Sequence, residues 1–268
     1  MKKLLCLLAA VLLLPLAACA PDGPTVLPLP GGVIEALSGD TLPLPPTGTD
    51  DLSPLVSVET KTVTLTPAAG LTATLRVPVF SGLPAKTAEK LNAALEKKAE
   101  DEFFARVQPP ETYAVGELTA DYRVTSCEVA YPGGNLVSVL FLARAEYTAY
   151  DREFRTPVTD GINYACSVVM DLSTGSELPA AGLFSDFGAV LDLLADGAFS
   201  VTAGAPCSNL PDLIAEARTN AAHGVLPPFL LSPDELTLVF FSNDGDEAAR
   251  YSVPVGRISQ TLTIPPKK

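Results

Sequence analysis

Histidine is almost missing from this chain: His223 is the only one in 268 residues. Its scarcity removes the usual proton-transfer side chain and every two-histidine zinc pattern. A single His at the end of a predicted helix is suited to capping the last carbonyls, where positive charge is favoured. No G-x-S-x-G elbow, S-x-x-K pair, H-E-x-x-H helix or phosphate-binding loop occurs, which leaves no recognisable catalytic motif. Basic residues are also scarce, 18 Lys and Arg against 31 Asp and Glu, for a net charge of −13. A chain this acidic, with no Lys/Arg cluster, is repelled by phosphate backbones, and nucleic acid is excluded as a partner. The apolar stretch Leu4–Ala18 falls short of the roughly 20 residues a membrane-spanning helix needs. Zinc spacing is absent among the later cysteines, Cys127, Cys166 and Cys207. No metal or cofactor is expected.

What is present begins at the amino terminus. Met1-Lys2-Lys3, an uncharged segment and then Leu16-Ala17-Ala18-Cys19 have the layout of a secretory signal. The ending resembles the bacterial lipobox, whose cysteine is lipidated and becomes the new amino terminus. The resemblance implies a signal peptide over 1–18, lipid on Cys19, and a mature chain tethered to the extracytoplasmic face of the cell membrane. Two or more acyl chains on one cysteine make a stable anchor, whereas one binds only marginally. An ordinary signal cut nearby, with Cys19 incidental, is the other reading. Loss of Lys2 and Lys3 leaves 16 basic residues against 31 acidic, a mature net charge of −15.

From Ala20 to Pro54 there are eight prolines and almost no hydrophobic periodicity, so 19–54 reads as a Pro-rich flexible linker. Beyond it, Val58–Thr66 and Leu71–Phe80 alternate apolar and polar residues around a Pro67–Gly70 turn, which predicts a hairpin. In Pro84–Val107 the period changes: Leu91, Leu95, Ala99, Phe103 and Val107 recur every four positions, predicting an amphipathic helix stopped by Pro109-Pro110. Strands are then expected over Gly116–Ala130, Asn135–Tyr150 and Asn163–Leu172, with Pro132-Gly133-Gly134 as a hairpin turn. Helices are expected at Asp186–Phe199, capped by Ser185, and at Leu210–His223, capped by Asn209 and ended by Gly224. Short strands around Phe229–Leu231, Leu236–Ser242 and Arg257–Ile264 close the chain. Runs of strands with a few segregated helices predict an α+β fold, antiparallel sheets with about three helices packed against them. Two halves, 55–155 and 156–268, follow from this reading.

Segment 162–265 carries a further signal. Asp171-Leu172-Ser173-Thr174-Gly175-Ser176-Glu177-Leu178 ends a strand in a D-L-x-T-G-x-x-L turn, and Leu183-Phe184 leads into a helix. Phe229, a turn at Ser232–Glu235, a strand ending in two aromatics, a polar loop, Ala249–Tyr251 and a closing Ile264-Pro265 complete the pattern. Together these resemble the extracytoplasmic domain of lysozyme-sensing anti-sigma factors (RsiV-like) and of some peptidoglycan deacetylases (PdaC-like), the DUF3298 family. The stretch Thr62–Tyr150 is similar in layout to DUF4163, the usual partner domain, with Val77–Leu83 as its P-x-x-S-G-L-type approach to the helix. The resemblance implies a binding or sensing role toward lysozyme or a cell-wall component. The catalytic half of the deacetylases is not in this sequence, and the family's I-A-P-Y is replaced by Ala248-Ala249-Arg250-Tyr251.

The functional expectation is therefore a non-catalytic, surface-tethered binding domain. Its partners would be the membrane, through the anchor, and a basic secreted protein such as lysozyme, or peptidoglycan. Binding is expected at the loop Asp244, Asp246, Glu247 with Tyr251 nearby, because binding residues gather on loops held by a rigid sheet. That loop lacks the later bidentate Glu of an EF-hand. A Cys127–Cys166 disulfide is permitted outside the cytoplasm, with three reduced thiols as the alternative. A wall-related enzyme with an unrecognised carboxylate site and a structural envelope lipoprotein are the competing readings.

Overall fold

A computed structural model describes residues 33–36, 52–68, 70–106, 119–151, 156–242 and 248–263. All of them lie in one unit, Gly31–Lys268. The signal segment, Cys19 and the loop carrying Asp244, Asp246 and Glu247 lie outside the described residues. The fold is α+β, and its sheets are mostly antiparallel. A seven-stranded sheet is formed by β1 (Val33–Ala36), β2 (Ser57–Ala68), β3 (Leu71–Ser81), β4 (Thr119–Gly133), β5 (Leu136–Asp151), β6 (Thr156–Asp171) and β7 (Ser176–Leu178). Its spatial order is the chain order. Only the β3–β4 step is parallel, Leu71–Thr74 beside Ala120–Arg123, and helix α1 (Ala85–Arg106) bridges it.

The β-branched alternation of β2 and β3 puts Val63, Leu65, Leu75 and Val77 on one face, where they are buried. α1 lies on that face. Its four-residue repeat buries Leu91, Leu95, Ala99 and Phe103, each 1 % exposed or less, and each of the two leucines and the phenylalanine contributes about 1.5–3 kcal/mol by leaving water. Pro84 opens the helix and accepts from the N–H groups of Thr87 and Ala88. Asn92 then pins helix to sheet: its Oδ1 accepts from Phe80 N at 2.8 Å and its Nδ2 donates to Phe80 O at 3.0 Å. Beyond the short parallel pairing, this one amide does for the Phe80 backbone what a neighbouring strand would do. The β4–β5 hairpin turns at Gly134 and Asn135, both at positive φ (61° and 60°), which suits a two-residue primed turn. Asn135 also accepts from Leu52 N, tying the start of the body to that turn.

The opposite face of the large sheet is covered over half its length. A four-stranded sheet packs there, ordered β8 (Ser200–Ala203), β11 (Ala248–Pro254), β10 (Glu235–Phe241), β9 (Phe229–Leu231). With α2 (Phe187–Ala195) and α3 (Leu210–Ala221) it encloses a second core around Leu191, Leu231, Leu238 and Val253. β9 is the edge strand facing the large sheet, and its outward N–H groups are not left bare. Phe229 N donates to Ser167 Oγ at 3.2 Å and Leu231 N donates to Ser138 Oγ at 3.1 Å. Two hydroxyls standing on one sheet thus satisfy the edge of the other. The Arg250 guanidinium and Glu128 carboxylate add a two-pronged ion pair between the layers, with Arg250 Nη1 to Oε2 at 2.7 Å.

Several elements differ from expectation. Asp186, not Ser185, caps α2, its Oδ1 accepting from Ala189 N at 3.0 Å, and the helix ends at Ala195 instead of Phe199. Asn209 holds the cap position of α3 without a side-chain hydrogen bond. The closing strand is β11, upstream of Arg257–Ile264. Val255–Ile258 is instead a one-turn helix, α4, because Val255 and Ile258, three apart, both bury against the second core. Of the expected closing strand, Leu262 keeps a single bridge to Phe184. β8 has no counterpart in the expectation. β6 pairs with β5 from Thr156 to Asp171.

Candidate ligand-binding face

The half of the large sheet's outer face that no described element covers concentrates charge in rows. The register β3–β4–β5–β6 aligns Thr72, Asp121, Glu146 and Gly161 in one row. Two residues along each strand, a second row holds Thr74, Arg123, Arg144 and Asn163. Like charges therefore sit directly opposite across β4–β5, an arrangement that is destabilising on its own. It is offset along the strands. Arg123 Nε donates to Asp121 Oδ2 at 2.9 Å and Nη2 bonds the same oxygen. Arg144 Nε stands 3.5 Å from Glu146 Oε1. Thr72 Oγ1 makes a long contact of 3.4 Å to the other Asp121 oxygen.

Gly161 makes room for this arrangement. A Cβ there would meet Arg144 Nη2 at 2.2 Å, so the guanidinium lies against bare backbone, with Nη1 reaching Asn163 Oδ1 at 3.4 Å. At the acidic end the face deepens into an open cleft of about 680 Å³, lined by Thr66, Thr72, Thr119, Asp121, Glu146 and Thr148. Thr148 pairs with Thr159 across β5–β6 at 2.9 Å. Hydroxyls, carboxylates and guanidiniums on paired strands form a surface built for hydrogen bonding. Among the described residues, no group of three His, Cys, Asp or Glu side chains could hold a metal ion.

Of the residues singled out from sequence, Tyr251, Cys127 and Cys166 are described and lie on β11, β4 and β6. Tyr251 is not a loop residue but the fourth residue of β11, 4 % exposed, packed edge-on to Phe240 at 6.0 Å. Its hydroxyl accepts from Cys207 N at 2.8 Å, so it is a core tyrosine with a satisfied hydroxyl and cannot reach a ligand. Burial, ahead of its Cys207 contacts, holds its pKa above the usual phenol value. Of the acidic loop, only the flanking residues are described: Phe241 and Ala248 are paired in register and pack against the cluster of Leu140, Ala165 and Val239. The Cys127–Cys166 bridge is also corrected. Both pair with Phe141, from opposite sides, which sets them about 10 Å apart, two strand spacings, beyond the roughly 7 Å a disulfide can span. All three later cysteines are free thiols, and burial raises the Cys166 pKa to about 12 and that of Cys127 further. His223 is exposed at the end of α3, its Nδ1 2.9 Å from Thr219 O.

Asp121, Arg123, Arg144 and Glu146 were not singled out from the sequence. A signal existed: Asp-Tyr-Arg in β4 and Arg-Ala-Glu in β5 are mirrored about the hairpin turn, so antiparallel pairing sets acid beside acid and base beside base.

No family model matches this chain, and no curated protein matches it. Among solved structures, it is similar to a DUF3298 family protein from Bacteroides fragilis, at 15 % identity and a TM-score of 0.39, covering 79 % of this chain and 95 % of that one. It is also similar to a DUF3298 family protein from Pseudomonas aeruginosa, at 11 % identity and a TM-score of 0.36, covering 88 % and 95 %. Both similar structures carry the same family name.

Proposed function

We propose that this protein is a surface-tethered, non-catalytic binding module of the RsiV/PdaC type, carried as a lipoprotein on the extracytoplasmic face of the membrane. Its partner is a cell-wall component or a basic secreted protein such as lysozyme. The observation that carries the reading is the open, charge-lined half-sheet with its cleft, held rigid by the paired strands beneath it. Such a surface recognises polar partners without needing a reactive group. The net charge of the mature chain, −15, would steer a basic partner toward it.

The test is capture of hen lysozyme and of purified wall fragments by the full mature chain, at low and at moderate salt. Wild type should retain one of them at moderate salt, and the Asp121→Asn, Glu146→Gln double variant should bind it more weakly with folding unchanged. Equal capture by both proteins would clear the face of a role. Turnover of wall fragments by the purified chain would overturn the non-catalytic reading.

A further inference from the structure

The two charged rows specify more than a polar surface. We propose that they bind a short zwitterionic peptide, of dipeptide length, with its free amino group on the Asp121–Glu146 row and its free carboxylate on the Arg123–Arg144 row. This rests on the binding-module reading above and names the ligand class for that face.

Four facts support the assignment. The rows are in register across β3 to β6 and two residues apart along each strand, a separation of about 6.6 Å at the usual strand rise. In an extended dipeptide the amino nitrogen and carboxylate carbon lie about 6 Å apart by standard backbone dimensions. The Asp121–Arg123 ion pair leaves capacity. Arg123 directs two N–H groups at one Asp121 oxygen, while the other has, among the described residues, only the long Thr72 contact. Exposed pairs of this kind contribute little, so a ligand charge can join or replace them without unfolding anything. The Arg123 side chain is 61 % exposed, and its planar fork can take a carboxylate in two parallel hydrogen bonds. Arg144 is aligned beside it by Asn163 and the missing side chain of Gly161.

A sheet optimised only for stability would alternate charge across neighbouring strands. Here each sign is gathered on its own row, and the face carries a dipole whose ends lie a dipeptide apart. A ligand with one charge would meet attraction at one row and repulsion at the other, whereas a zwitterion meets attraction at both. The cleft at the acidic end leaves room for the side chain of the amino-terminal residue.

The experiment titrates Ala-Ala into the isotope-labelled full mature chain at low salt, followed by amide chemical shifts. N-acetyl-Ala-Ala and Ala-Ala-amide are run in parallel. Saturable shifts should map to Asp121, Arg123, Arg144 and Glu146, and each capped peptide should bind at least about tenfold more weakly, the equivalent of about 1.4 kcal/mol. In the Asp121→Asn, Glu146→Gln variant the preference for a free amino group should vanish while that for a free carboxylate stays. Arg123→Gln should do the reverse. Equal affinity for capped and free peptides, shifts elsewhere on the protein, or no saturable binding would each overturn the assignment. Lysozyme and wall-fragment capture on the same preparation separates the two ideas. Capture without dipeptide binding sinks only this inference, and dipeptide binding without capture sinks only the broader partner reading.

Discussion

Replacing Ser138 by Ala tests how the two sheets are joined. Ser138 has no solvent exposure and lies among apolar neighbours of β5, and its hydroxyl is the acceptor for Leu231 N at 3.1 Å. Leu231 is itself 1 % exposed, so no water can replace the lost partner without a rearrangement of β9. Leaving a buried donor unsatisfied costs about 1–3 kcal/mol, against about 1 kcal/mol for the net worth of an ordinary hydrogen bond. A loss near 2 kcal/mol would lower the melting temperature by about 4–8 °C for a domain of roughly 150–250 residues. The chain has no tryptophan, so urea unfolding is best followed by far-ultraviolet circular dichroism, with the denaturant slope expected to stay constant. Hydrogen exchange adds a local readout: the Leu231 amide should lose protection more than amides of β10 that pair with β11. A change below about 0.5 kcal/mol, the range of ordinary surface substitutions, together with an unaltered Leu231 amide, would refute the idea that serine hydroxyls secure this edge.

Two further outcomes follow from other features. The Arg250 hydrogen bond, the largest influence on Glu128, holds its pKa below the usual 4.5 despite burial, so its stabilisation is complete above about pH 4.5 and is lost as pH falls through the depressed folded value. Glu128→Gln should therefore be less stable than wild type at neutral pH, by about 1.5–3 kcal/mol for a hydrogen bond to a charged group, with the gap closing in acid; urea midpoints that differ equally at both pH values would contradict it. Cys19→Ser should abolish incorporation of a labelled fatty acid and release the chain or leave it uncleaved, whereas label persisting on the variant would rule out the anchor.

Much of the scaffold was legible because local periodicity carries it. The four-residue repeat of α1 and the alternation of β2, β3, β4 and β5 each report a buried face directly. Failures came where burial is decided by distant partners. Ile258-Ser-Gln-Thr-Leu-Thr alternates like a strand, but Val255 and Ile258 reach the second core by taking a helical turn instead. β8 is four exposed residues at a sheet edge, with no apolar rhythm to notice. Tyr251 reads as a loop aromatic until β10 is known to pair with it through Leu238. The candidate face was hidden for the same reason: Asp121 and Glu146 are 25 positions apart in the sequence, and only the register of the hairpin makes them neighbours. Cys127 and Cys166 both lie in strands, as expected, but β5 runs between them.

The order of strands also bears on how the chain assembles. In the large sheet, spatial order follows chain order from β1 to β7, so a chain delivered amino-terminus first can add each strand to the free edge as it arrives, and no strand must be threaded between two already joined. Such sequential pairing keeps each loop closure short and favours fast folding. The small sheet breaks that rule. Its order, β8-β11-β10-β9, requires β11 to insert between β8 and β10, so β8 waits unpartnered for some 45 residues until Ala248–Pro254 appears. Ala248–Pro254 is thus the keystone of the molecule: a chain released before that point would hold a finished large sheet beside an unclosed second layer, with the Phe240 side of the second core exposed and open to association with other chains.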